Sequence, residues 1–60
     1  MKLLDYLNCR VHIVLHNYFY YKGKVISADE NSLTIIDLRG RRVSLSKNSI
    51  LTIEEISNGV

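Results

Sequence analysis

From residue 11 onward, apolar and polar positions alternate with period two. Val11, Ile13 and Leu15 point one way and His12, Val14 and His16 the other, which predicts a half-buried strand over residues 11–16. A tight turn at Asn17 and Tyr18 leads into a long strand, within the stretch 17–29. Its aromatic run Tyr18, Phe19, Tyr20 and Tyr21 suits a pleated surface. Tyr21, Gly23 and Val25 share one face of it, with Tyr18 and Tyr20 on the other. A glycine inside a strand marks a bend or a close backbone approach, and a bent central strand is one way for a small barrel to close. Polar residues 29–32 form the next turn. A third strand follows over residues 33–37, with Leu33 and Ile35 inward. A hairpin turn over 38–41 has Gly40 available for positive φ. A fourth strand spans 42–46 with Val43 and Leu45 inward. Residues 47–49 read as a short turn of 3₁₀ type, residues 50–54 as a fifth strand, and residues 57–60 as a frayed tail.

Ahead of the strands, residues 1–8 carry Leu3, Leu4 and Leu7 at i, i+1 and i+4. This predicts a short helix with one apolar stripe, packed on the sheet because two turns do not stand alone. The pattern is therefore all-β: a small five-stranded, strongly bent barrel behind a short N-terminal helix, in a single domain spanning residues 1–60. Internal repeats, linkers and low-complexity segments are absent.

Sixty residues bury a small core, and such domains commonly need a disulfide, a metal or partner subunits. Cys9 is the only cysteine, so an internal disulfide is excluded and self-association becomes the leading expectation. A lone thiol fits a reducing compartment. The apolar runs are too short for a membrane span, and Asp5 interrupts the leucines where a signal peptide needs an apolar core. A cytoplasmic protein without membrane attachment is the expectation.

Candidate chemistry adds little on the catalytic side. The chain has no Gly-rich phosphate loop and no nucleophile motif, and none of its six carboxylates is embedded in an apolar run. His12 and His16 lie four apart on one strand face, about 13 Å at about 3.3 Å per residue, too far to share a zinc ion. No enzyme activity, metal or cofactor is expected. The net charge of +2 permits nucleic-acid binding. Exposed aromatics beside Lys22 and Lys24 are the ingredients of a base-stacking platform; equally, Tyr18 and Tyr20 can fill a subunit interface. Arg39, Arg41 and Arg42 cluster in one turn, where they can contact phosphates or form a solvated hairpin tip.

The spacing V-x-I-x-L-x-N, then Y-x-G-x-V, then Asp is carried here by Val11, Ile13, Leu15, Asn17, Tyr21, Gly23, Val25 and Asp29. Leu33, Ile35 and Asp37 continue it. Residues 47–53, KNSILTI, are similar to the KHAISTV segment of Hfq. In this order and spacing the chain resembles the Sm-like (LSm) family, which includes the bacterial RNA chaperone Hfq, over nearly its whole length. The resemblance implies an SH3-like (Sm-type) barrel and a homo-oligomeric ring of five to eight subunits that binds single-stranded RNA. In that family the fourth strand of one subunit pairs with the fifth of its neighbour. The implied pore-side RNA contacts are Asp29, Glu30, Asn31, Ser32, Ser46, Lys47 and Asn48. A second face, matching a region of Hfq, would use Asn17, Phe19, Tyr20 and Lys22, with Val14 nearby. Two departures fall in the pore-side turns. Glu30, Asn31 and Ser32 stand where the family has a stacking residue and an Asn, and Asn48 replaces the Hfq histidine. Two further functions therefore stay open: an Sm-fold scaffold or protein-interaction module, and a monomeric SH3-like nucleic-acid-binding barrel.

Overall fold

The structure, a computed structural model, describes residues 1–56; the expected tail at 57–60 lies outside the described residues. Five antiparallel strands carry the fold: β1 (Arg10–Leu15), β2 (Tyr20–Ala28), β3 (Ser32–Asp37), β4 (Arg42–Ser46) and β5 (Ile50–Glu55). A 3₁₀ turn at Leu3–Tyr6 precedes them, and another at Lys47–Ser49 links β4 to β5. The all-β expectation and the strand order along the chain are as the alternation implies.

The strands form one open sheet in the order β4-β3-β2-β1-β5. A closed barrel would need a further pairing, and β4 and β5 instead lie at its two edges. Two irregularities break the ladder. Ile26 is an extra residue in β2 opposite β3, and Leu51 an extra residue in β5 opposite β1. Such bulges bend a strand and increase its twist. The irregularity in β2 thus falls at Ile26 rather than at Gly23.

Gly23 has the other role open to a strand glycine. A Cβ there would overlap the Ile36 carbonyl oxygen and lie 2.8 Å from its carbon. The absence of a side chain lets β3 lie close against β2.

The predicted helix over residues 1–8 is corrected. Only Leu3–Tyr6 is helical, and it is 3₁₀. Leu7 is already extended at φ −57°, ψ 132°, and Asn8 adopts the left-handed conformation at φ 67°. The sheet takes over there: Asn8 N–H donates to the Val25 carbonyl (2.8 Å) and Val25 N–H to the Cys9 carbonyl (2.9 Å). The stripe is reduced to one residue. Leu3 is 1% exposed, whereas Leu4 and Leu7 face outward.

The core is wholly apolar: Leu3, Val11, Ile13, Leu15, Val25, Leu33, Ile35, Leu45 and Ile50 are buried. Tyr6, Cys9, Tyr21, Val43 and Ile53 pack at its margin. The inward residues expected of the first, third and fourth strands are those observed, although Val43 is only half-buried. Among the described residues no helix is long and apolar enough to cross a membrane.

Candidate nucleic-acid interface

Two turns expected to act together are neighbours. The β2–β3 turn is organised by Asp29. Its Oδ1 accepts from the backbone N–H groups of Asn31 (2.7 Å) and Ser32 (2.9 Å), and its own N–H donates to the Ser32 carbonyl (2.9 Å). These bonds, from Asn31 first and then Ser32, hold the Asp29 carboxyl below its ordinary pKa, because they favour the charged form. The carboxylate is thus committed to shaping the turn, which leaves Glu30 and Asn31 exposed at its tip.

The β4–β5 link packs beside it. Ser32 pairs with Ser46 at the end of the β3–β4 ladder, and Lys47 N–H donates to the Asn31 carbonyl at 2.8 Å. Ser46 caps the 3₁₀ turn, its Oγ accepting from Asn48 N–H at 3.3 Å. Lys47 and Asn48 are exposed. A groove here is also lined by Met1, Lys2, Leu3 and Leu4. The chain's first residues thus border the same surface, through the 3₁₀ turn, a proximity that the strand pattern does not reveal. One ammonium, one amide and the exposed edge of Asn31 can contact a phosphate or a base edge.

The second surface is the β1–β2 hairpin. Leu15 and Phe19 flank a three-residue loop, with Leu15 N–H donating to the Phe19 carbonyl and Tyr18 N–H to the Leu15 carbonyl, both at 2.8 Å. Asn17 Oδ1 accepts from Phe19 N–H at 3.0 Å, so its side chain shapes the loop. Tyr18 sits at φ 67°, in the loop position that favours glycine. Tyr18, Phe19 and Tyr20 are 77%, 65% and 65% exposed. The Tyr20 ring meets His12 edge-to-face, centroids 5.4 Å apart at 84°. His12 Nε2 is buried without a hydrogen-bond partner. Lys22 is exposed, cross-strand from His12.

The third set lies on the β3–β4 hairpin. Asp37 Oδ1 accepts from the N–H groups of Arg39 and Arg41, each at 2.9 Å, and its Oδ2 from Arg41 Nε at 3.2 Å. These bonds, with the Arg41 backbone N–H the strongest, hold the Asp37 carboxyl below its ordinary pKa. Gly40 takes φ 81°, the positive value expected of it. Arg41 is thus engaged in the turn. Arg39 and Arg42 have no ion partner, since Arg41–Asp37 is the only ion pair among the described residues.

Cys9 is half-buried, and partial burial, helped by nearby Glu55, pushes its thiol above the ordinary range, away from the thiolate. Among the described residues no three His, Cys, Asp or Glu side chains are grouped to hold a metal ion.

The pairing register brings together Arg10, which sequence reasoning left out, and Lys24, which it named only beside the aromatic run. Arg10 lies directly opposite Lys24. Period two alone puts each on the outer face of its strand, but only the length of the β1–β2 loop sets them side by side. Compared with protein-family models and with curated proteins, the chain finds no match.

Proposed function

We propose that this chain is an Sm-like subunit that self-associates into a ring of five to eight copies and binds single-stranded RNA. The observation that carries this reading is the juxtaposition of the β2–β3 turn with the β4–β5 link. Asn31 and Lys47 are joined by a backbone hydrogen bond of 2.8 Å, so the two segments implied as pore-side contacts form one surface. The sheet order adds support. With β4 and β5 at opposite edges, pairing between the β4 of one copy and the β5 of the next would close a barrel-like ring and remove both edges. In this reading Lys47 and Asn48 face the RNA, Asp29 and Ser46 hold the two turns, and the exposed Phe19 and Tyr20 offer stacking surfaces on the second face.

Binding of a short fluorescent single-stranded RNA at low salt tests the reading, because phosphate attraction is strongest there. The purified protein should bind, and Lys47→Ala with Asn48→Ala should weaken binding at unchanged melting temperature. A protein that ignores the RNA at low salt contradicts it. One observation favours the scaffold alternative: Glu30 stands exposed at the pore-side tip, where it opposes a phosphate. A ring that captures proteins equally with or without nuclease treatment, and no RNA, would decide for the scaffold.

A further inference from the structure

The outer face of the β1–β2 ladder carries three successive cross-strand rungs: Arg10 with Lys24, His12 with Lys22, and Val14 with Tyr20. These residues alternate with the core residues Val11 and Ile13, so they project away from the core. Like charges directly opposite each other destabilise a sheet, and Arg10 and Lys24 form such a pair on two central strands. Neither has a carboxylate partner among the described residues. The row continues through Ile36 to Arg42. Six of the chain's eight Lys and Arg residues lie on β1, β2 and the β3–β4 hairpin, with Asp37 the only carboxylate on those elements. Glu54, on β5 opposite His12, is the nearest acidic position in the second rung.

We infer that this ladder is an anion-binding strip that takes the phosphodiester backbone of a single-stranded nucleic acid, with phosphates at Arg10–Lys24 and Lys22 and a base against Tyr20. The inference rests on the RNA-binding reading above: Tyr20 and Lys22 belong to the second face that the family resemblance implies, and the Arg10–Lys24 rung is what extends it along the ladder. Successive rungs are about 7 Å apart along the strands, at about 3.4 Å per residue. That separation is comparable with the spacing of neighbouring phosphates on an extended strand. Arg10, Lys22 and Lys24 border a groove of ≈ 580 Å³ whose other walls include Ile26, Ile36, Ile56 and the acidic Asp37, whose carboxylate is taken up by Arg39 N–H, Arg41 N–H and Arg41 Nε. The rungs pass from paired cations at one end to an exposed aromatic at the other, and this sequence of groups suits backbone and base together better than an isolated phosphate.

The test is a salt titration of RNA affinity between about 50 and 200 mM, comparing the full chain with the double variant Arg10→Gln, Lys24→Gln. Each lost phosphate contact to a single strand removes about 0.7 from the slope of log affinity against log salt. The Arg10–Lys24 rung holds one phosphate, so the double variant should lose about 0.7 in slope, and its affinity should fall about 2.6-fold less than the wild type's across that range. Its melting temperature should rise, because the opposed charges are gone. The charge-keeping swap Arg10→Lys, Lys24→Arg should retain the full slope. If the RNA binds and the double variant keeps the wild-type slope, the strip is overturned while the ring reading stands. If the wild type binds no RNA at low salt, both fall. If it instead binds vesicles rich in anionic lipid and ignores RNA, the patch belongs to a lipid surface and the inference is overturned.

Discussion

At the scale of single residues, two backbone positions carry opposite consequences. Gly23 has no space for a side chain, because the obstruction is the Ile36 backbone rather than a movable rotamer. Gly23→Ala should destabilise the protein by about 1–3 kcal/mol or more, the cost of overpacking, measured by denaturant unfolding. Tyr18 presents the reverse case. A bulky residue holds the left-handed conformation with most of its ring in solvent. Tyr18→Gly should stabilise the fold by roughly 1 kcal/mol in the same assay, since the left-handed cost of about 1–2 kcal/mol is removed and part of it returns as chain entropy.

Asp29 and Asp37 are the residue-scale origin of acid sensitivity. Both have folded-state pKa values below their ordinary carboxylate values, because turn N–H groups bind the charged forms. Their stabilisation is therefore fully present above the unfolded value of about 3.9 and is lost as pH falls through the lower folded values. The melting temperature should fall on acidification below about pH 4. The double variant Asp29→Asn, Asp37→Asn should show a shallower fall, and an unchanged pH profile would contradict this assignment.

At the scale of elements, the N-terminal 3₁₀ turn acts through one side chain. Leu3 is buried against the core, so Leu3→Ala should cost about 2–5 kcal/mol. Leu4→Ala and Leu7→Ala should each stay within about 0.5 kcal/mol, because those side chains are exposed. Equal effects at all three positions would restore the amphipathic helix that the leucine spacing suggests. The contrast shows where the sequence stops being sufficient. Alternation in residues 11–15, 33–35 and 43–45 is a local signal with one geometric solution, so those strands and their inward residues are legible. The leucine spacing is satisfied equally by an α-helix and by a tighter turn. The competing capture of residues 8 and 9 by β2 is non-local and decides the matter. The pairing of Arg10 with Lys24 is illegible for the same reason: it depends on the register set by the loop between them. The candidate pore-side residues follow from the family resemblance alone. Their proximity is visible in the fold, but the use of Asp29 within its own turn is not evident from composition.

At the scale of the whole molecule, the sheet ends in two edges and the chain buries a small core without a disulfide or a grouped set of metal-binding side chains among the described residues. Exposed edges invite pairing with another chain. Under the proposed ring, pairing of β4 with the β5 of another copy would satisfy both edges at once, and repetition would close the ring. The charge distribution would give the proposed ring two faces of different character. The surface at the β2–β3 and β4–β5 turns carries Lys2 and Lys47 against Asp29 and Glu30, while the outer β1–β2 ladder is basic. The most direct test of the ring is the mass of the purified protein in solution, with the ratio of nucleic-acid to protein absorbance recorded on the same peak. The account predicts one discrete species of five to eight times the 6.9 kDa chain mass, carrying RNA. A monomer at the same concentration would contradict it.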